Sequence, residues 1–222
     1  DSVFITKKAV AVALQEKDSV YIHSDTLMVT GKPENRVIRG FYDVRLFKSN
    51  MSGKSDSIHV DERSGLTQML GRPVVWSENN QLTGDTIHLL NNVETDKLDS
   101  LLVYDNAFMI QKDSIGGYNQ LKGKEMYGKF TDNELTQVDL VKNTETVYYM
   151  RNSKGELIGI DKTLSSSIQI FFEDRQVVDI YYLTKPEGTL YPEEDLPENM
   201  RQLKGFNSVS YTHLTLPTKR IV

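Results

Sequence analysis

Asn80-Gln81-Leu82-Thr83-Gly84-Asp85-Thr86-Ile87-His88-Leu89 reads as a short apolar segment, a Gly-Asp turn, and a second segment that alternates apolar with polar. Its first half returns as Asn119-Gln120-Leu121-Lys122-Gly123-Lys124. Leu66-Thr67-Gln68 returns as Leu135-Thr136-Gln137. A glycine, then an acidic or polar residue, then an apolar one recurs in Gly53…Asp56-Ser57-Ile58, Gly84-Asp85-Thr86-Ile87 and Gly123-Lys124-Glu125-Met126. Asp25-Thr26-Leu27 and Gly159…Ser167-Ile168 are weaker members. The marking glycines Gly53, Gly84, Gly123 and Gly159 lie 31, 39 and 36 residues apart, the spacing of a supersecondary repeat. Each unit reads strand, polar turn, strand, return.

The same period of two runs outward in both directions. Val20 to Val29 alternates, as do Val44 to Phe47, Ile58 to Val60 and Ile168 to Phe172, and Val177 to Leu183 closes the series. Turn chemistry separates them at Gly31-Lys32-Pro33, Asp61 to Gly65, Glu78 to Asn80, Asn152 to Gly155 and Glu173-Asp174. About a dozen strands of ordinary length follow. Ala9–Gln15 suits a strand, because its valines alternate. Glu198–Lys204, after Pro197 and before Gly205, carries start and stop signals for one or two helical turns. The fold class is all-β, built from repeated antiparallel hairpins. A hairpin with one apolar face cannot bury that face alone, so successive hairpins must stack. Residues two and four after the acidic position should face inward: Leu27 and Val29, Ile58 and Val60, Ile87 and Leu89. The glycines fit bends or bulges that let the sheet curve.

Composition removes much chemistry. The 222 residues suit one domain or two small ones, and cysteine is absent, which excludes disulfides and thiolate chemistry. No run approaches the roughly eighteen apolar residues of a membrane helix. The net charge of -5, with no basic block, argues against nucleic acid. Gly53-Lys54-Ser55 resembles the end of a phosphate-binding loop, but Lys48 stands where its first glycine belongs. G-x-G-x-x-G, G-x-S-x-G and H-E-x-x-H are all missing. The 31 acidic residues are scattered through turns, and no pair is set apart for glycoside chemistry. No enzyme, catalytic residue or cofactor is expected. His59 and His88 each follow a repeat aspartate by three residues, so they occupy equivalent positions and could stack on neighbouring strands. A polar ladder on the outer face is the expected role, with no metal. Trp76 and the tyrosines suit cross-strand packing more than sugar stacking. Lys185 to Pro197, acidic and proline-rich, reads as an extended arm leaving the sheet and not as a strand.

Three segments result: a β-domain over 1–190, an arm with a short helix over 191–207, and a tail over 208–222. Ser208 to Val222 has no relation to the pattern before it and resembles a translated sequencing adaptor. Setting aside Lys219 and Arg220 leaves 24 basic against 31 acidic residues, a net charge of -7.

The repeated Gly-Asp-Thr-Ile and Asn-Gln-Leu-x-Gly units resemble the OstA-like/LptA family of lipopolysaccharide transport proteins, in the branch found in Bacteroidetes. The resemblance covers Asp18 to Tyr191 and is carried by Asp18 to Leu27, Asn80 to His88 and Gly123 to Met126. It implies an open, twisted β-jellyroll of two sheets in the periplasm or cell envelope, with lipopolysaccharide or a related lipid as ligand. It also implies edge-to-edge pairing with other jellyroll components or with itself, and no reaction. Acyl chains would ride in an apolar groove lined by Leu27, Val29, Ile58, Val60, Ile87, Leu89, Leu101, Val103, Phe108 and Ile110. The units at Gly123 and Gly159 depart from the motif, and the acidic balance supplies no basic rim for lipid phosphates. The alternative is a structural or adhesive β-repeat module that binds protein or glycan on its outer face. An envelope glycan-processing enzyme is a distant third.

Overall fold

The computed structural model describes residues 2–14, 19–33, 35–77, 79–113, 116–174 and 176–209. Among these residues, fourteen strands form one antiparallel sheet. They are β1 (Ser2–Leu14), β2 (Ser19–Thr30), β3 (Val37–Lys48), β4 (Met51–Asp61), β5 (Leu66–Leu70), β6 (Val74–Ser77) and β7 (Asn80–Thr83). Then come β8 (Thr86–Asn91), β9 (Leu98–Lys112), β10 (Tyr118–Thr131), β11 (Glu134–Arg151), β12 (Leu157–Glu173), β13 (Gln176–Leu183) and β14 (Glu187–Tyr191). Short strands are halves of long ones. β5 and β6 pair with the two ends of β4, β7 and β8 with the two ends of β9, and β13 and β14 with the two ends of β12. The chain is therefore an up-and-down meander in which every rung crosses one line of bends.

The bends come in two alternating kinds. On β2, β4 and β12 a buried serine turns the strand, and its hydroxyl donates to the carbonyl two residues on: Ser24 to Thr26 at 2.7 Å, Ser55 to Ser57 at 2.9 Å, Ser165 to Ser167 at 2.9 Å. Gly84 and Gly123 hold the equivalent places in the next two units. On the partner rungs two consecutive residues are left-handed: Lys7-Lys8, Tyr42-Asp43, Gly71-Arg72, Asp105-Asn106, Lys142-Asn143 and Thr184-Lys185. The kinds interlock through the backbone. Asp56 N–H donates to Gly71 O, Asp85 to Asp105 O, and Ser166 to Thr184 O. Because the two rungs carry unequal numbers of residues through the bend, the register shifts there in pair after pair, as in successive β-bulges. The sheet folds along this line into two facing layers, giving an all-β, open and twisted jellyroll.

The bend types also decide which side chains face in. A serine or glycine bend adds one residue, so alternation flips: Ile22 and Ser24 are buried before it on β2, Leu27 after it. A left-handed pair adds two and keeps the phase: Leu101, Val103, Ala107 and Met109 all face in on β9. Packing is tightest along the bend line, where Leu27, Val44, Ile58, Met69, Ile87, Val103 and Leu140 are all within 1% of complete burial. Toward the hairpin turns burial relaxes, and Val29, Val60, Leu98, Phe130 and Leu135 are only partly covered.

Sequence expectations meet two corrections here. Gly53 is not at a bend but lies within regular pairing, opposite Leu46, whereas Gly159, opposite Met150, is away from the bend line beside the register shift between Met150 and Arg151. Glu187–Tyr191, expected to leave the sheet, is a strand paired with Leu164–Ile160. The helical signal after Pro197 yields a single 3-10 turn, Glu198–Met200, preceded by another at Glu193–Asp195. Beyond these turns the chain crosses the outer face of the second layer as far as Val209. Leu196 and Leu203 pack there against Phe108, Ile110, Val147, Tyr149 and Ile160. The remainder of the tail expected over 208–222 lies outside the described residues.

A candidate apolar groove between the layers

Between the two layers runs a cavity of about 860 Å³ that reaches from β2 to β12. Its first-layer wall includes Ile38, Val60, Leu89, Leu101, Met126 and Val138; its second-layer wall includes Ile22, Leu46, Val75, Leu82 and Met109. The size falls within the range of ligand pockets, and the lining is mainly apolar, with Thr67 on the wall and the charged groups at one rim. That rim is formed by turn residues of both layers, so the cavity opens on the side away from the bends. Asn92, Asn133 and Glu134 come from one layer, Lys48, Asn50 and Asn79 from the other. Charges at the mouth are mixed: Arg36, Lys48 and Arg63 stand with Asp61, Glu62, Asp96 and Glu134. The net charge of the chain concealed these three basic groups, because turns far apart in sequence bring them together.

The groove is asymmetric along its length. At the β1 end the interior-facing Val3 and Ile5, which pair with Val29 and Leu27, remain 54% and 40% exposed. At the other end a polar cluster ties the layers together. Tyr182 of β13 donates to Asp161 Oδ2 at 2.7 Å, Thr163 donates to the same carboxylate at 3.0 Å, and Thr146 lies 3.4 Å from the Tyr182 hydroxyl. Burial, with the Asp161 contact adding to it, pushes the Tyr182 hydroxyl well above its ordinary range, so it remains a proton donor. Next to it Thr144 and Ser165 share a hydrogen bond of 2.8 Å.

The ten residues named from sequence separate into groups. Val60, Leu89 and Leu101 line the cavity. Leu27, Ile58, Ile87 and Val103 are sealed in the seam beneath it, and Val29 packs partly buried against the same core. Phe108 and Ile110 lie on the opposite face, under the C-terminal arm. The left-handed pair Asp105-Asn106 is the reason: it preserves the odd-numbered inward phase of β9. The second-layer wall was missed, although Val20-Tyr21-Ile22 and Val44-Arg45-Leu46 carry the alternation that marks it.

His59 and His88 face the outer surface of the first layer, but they are not on neighbouring strands. Gln68 of β5 stands between them in register, 3.0 Å from His88 Nε2. His88 also meets Tyr104 edge to face at 5.0 Å, and partial burial lowers its pKa. Among the described residues no group of three or more His, Asp or Glu side chains could hold a metal ion. Trp76, on the outer face of β6, carries Lys54 Nζ 5.7 Å from its ring centroid.

No family model matches the chain, and no curated protein matches it in sequence. Among solved structures it is similar to LptH of Pseudomonas aeruginosa, described as the LptA-homologous periplasmic component of the lipopolysaccharide transport device. The two share 15% identity over 64% of this chain and 95% of that one, with a TM-score of 0.48.

Proposed function

We propose that this chain is a non-catalytic lipid-binding transport protein of the periplasm or cell envelope, which shields acyl chains of lipopolysaccharide or a related lipid between its two layers. The observation that carries the reading is the 860 Å³ cavity, lined mainly by apolar side chains with its charged groups at the mouth. Each methylene withdrawn from water there gains about 0.8 kcal/mol, and a stably folded sheet pair holds that surface open without a conformational cost at binding. Arg36, Lys48 and Arg63 stand where an anionic headgroup would remain in solvent. The sequence resemblance to lipopolysaccharide transport proteins points to the same ligand class. Further jellyroll components, or a second copy, would pair with the exposed edge of β1, where Val3, Phe4 and Ile5 are uncovered. The alternative of an adhesive module requires an open outer face. On the second layer that face is covered by the chain's own arm.

The test is binding of a fluorescent fatty-acyl probe to the purified chain, followed by displacement with lipopolysaccharide. Leu101→Trp and Met109→Trp fill the cavity and should each weaken the probe at least tenfold while leaving the circular dichroism unchanged. In cells, a photo-crosslinker at position 60 or 101 should capture the lipid, and one at the outward position 59 should not. Probe affinity indifferent to the two tryptophans, or crosslinks from position 59 alone, would sink the reading.

A further inference from the structure

The two copies of the Asn-Gln-Leu-x-Gly motif do the same thing in the folded chain, and it has no connection with the groove. Gln81 and Gln120 project from the outer face of the second layer, 6% and 1% exposed. Gln120 donates through Nε2 to Arg201 O at 2.7 Å and accepts through Oε1 from Leu203 N–H at 2.8 Å. Gln81 repeats the pattern, donating to Asn207 O at 2.7 Å and accepting from Val209 N–H at 2.8 Å. Each amide therefore grips the carbonyl of one residue and the N–H of the residue two further on, as a neighbouring strand would. Both glutamines are in register with Ile110 of the intervening β9, which places them two strand spacings apart, about 9.6 Å. The segment between the grips turns once, Phe206 N–H donating to Leu203 O at 3.0 Å, with Gly205 at φ +99°. That conformation favours glycine. Leu196 and Leu203, 2% and 4% exposed, fill the apolar floor. Trp76 Nε1–H reaches Val209 O at 3.3 Å and closes the far end.

We propose that the outer face of the second layer is a peptide-binding site, that Gln81 and Gln120 read the backbone of its ligand, and that residues 196–209 of the same chain are that ligand. Recognition is by main chain, at four atoms through the glutamines and at the Val209 and Met200 carbonyls through Trp76 and Lys162, and by leucine at two positions. Val209 joins the clamp through its backbone N–H and carbonyl, which any residue but proline would supply. A buried amide leaves a peptide N–H and carbonyl without partners when removed, which makes the two glutamines the discriminating residues.

Lys204 lies exposed between the two grips and offers a trypsin site. In the full-length chain, Gln81→Met with Gln120→Met should speed cleavage after Lys204 at least tenfold, with circular dichroism unchanged. Gln81→Met alone should shift the emission of Trp76, the only tryptophan, and accelerate cleavage less. A second arm uses full-length Leu196→Asp with Leu203→Asp, whose own arm is expelled. A fluorescent peptide of residues 196–209 should bind it saturably and lose at least tenfold in affinity when both glutamines are also replaced. Unchanged cleavage, or no peptide binding to a folded expelled-arm chain, overturns the proposal. Protection that vanishes on dilution overturns it too, because the arm would then come from a second copy. Acyl-probe binding should be the same in all these variants, so failure here is distinct from failure of the groove.

Discussion

Gly84 stands at a bend where any side chain would meet the core. A Cβ there would come within 2.3 Å of Val103 Cγ1 and 3.2 Å of Asp105 O. At the equivalent Gly123 the nearest atoms are 3.4–3.5 Å away, an ordinary contact. Gly84→Ala should therefore cost about 1–3 kcal/mol, as overpacking does, whereas Gly123→Ala should be neutral or stabilise by up to about 1 kcal/mol. Urea unfolding of the two variants decides this. Tyr182 offers a second contrast. Tyr182→Phe leaves Asp161 and Thr146 short of a partner and should lower stability by about 1–3 kcal/mol in the same assay. His88 sets a pH dependence. Burial lowers its pKa in the fold, so its neutral form contributes stability above the unfolded value of about 6.5, and that contribution is lost as pH falls. The stability gap between the wild type and His88→Gln should accordingly narrow between pH 7 and pH 5. A gap that widens would show that His88 is stabilised as the cation.

At the scale of a strand, the bend is the unit that had no name in the sequence. The repeat was legible as Gly-Asp-x-Ile because glycine and aspartate are conspicuous. The physical requirement is a small residue turning into the seam, and serine meets it in three of the five bends of that kind. The partner bends require left-handed backbone at two successive residues. Lys, Tyr, Asp, Asn, Gly, Arg and Thr all serve, and so no residue type marks them. Tyr42, at φ +62° and 71% exposed, is a costly choice among these, since it is strained and gains little burial. Tyr42→Asn should raise the thermal midpoint, by a free energy of about 1 kcal/mol, because asparagine enters that region readily. A fall in the midpoint would mean that the aromatic ring makes a compensating contact.

Across the whole molecule, one line of bends yields two apolar surfaces that are filled differently. The inner one is sealed at the seam and loose at the turns, and the groove is the space left where packing stops. The outer one on the second layer carries its own apolar patch, and the arm covers it. Exposed apolar surface at the β1 edge completes the picture. Replacing Phe4, 67% exposed, with lysine should leave thermal stability nearly unchanged and reduce concentration-dependent association in light scattering. Equal association in both proteins would remove the β1 edge from the list of contact surfaces.

The amino-acid sequence by itself determined the strands, their antiparallel meander and the absence of the familiar catalytic motifs, because a period of two and turn chemistry are local properties. It also determined the inward phase after each acidic bend residue, and Leu27, Ile58 and Ile87 are buried accordingly. Only the tertiary structure decided the phase of β9, which moved Phe108 and Ile110 to the outer face. That phase depends on whether a bend contains one extra residue or two, and this is fixed by the register that β9 takes against its neighbours β8 and β10, not by the residues of β9 alone. The purpose of Gln81 and Gln120 was likewise invisible beforehand. Their partners lie 126 and 81 residues away along the chain, and only folding brings a backbone to an amide across such a distance.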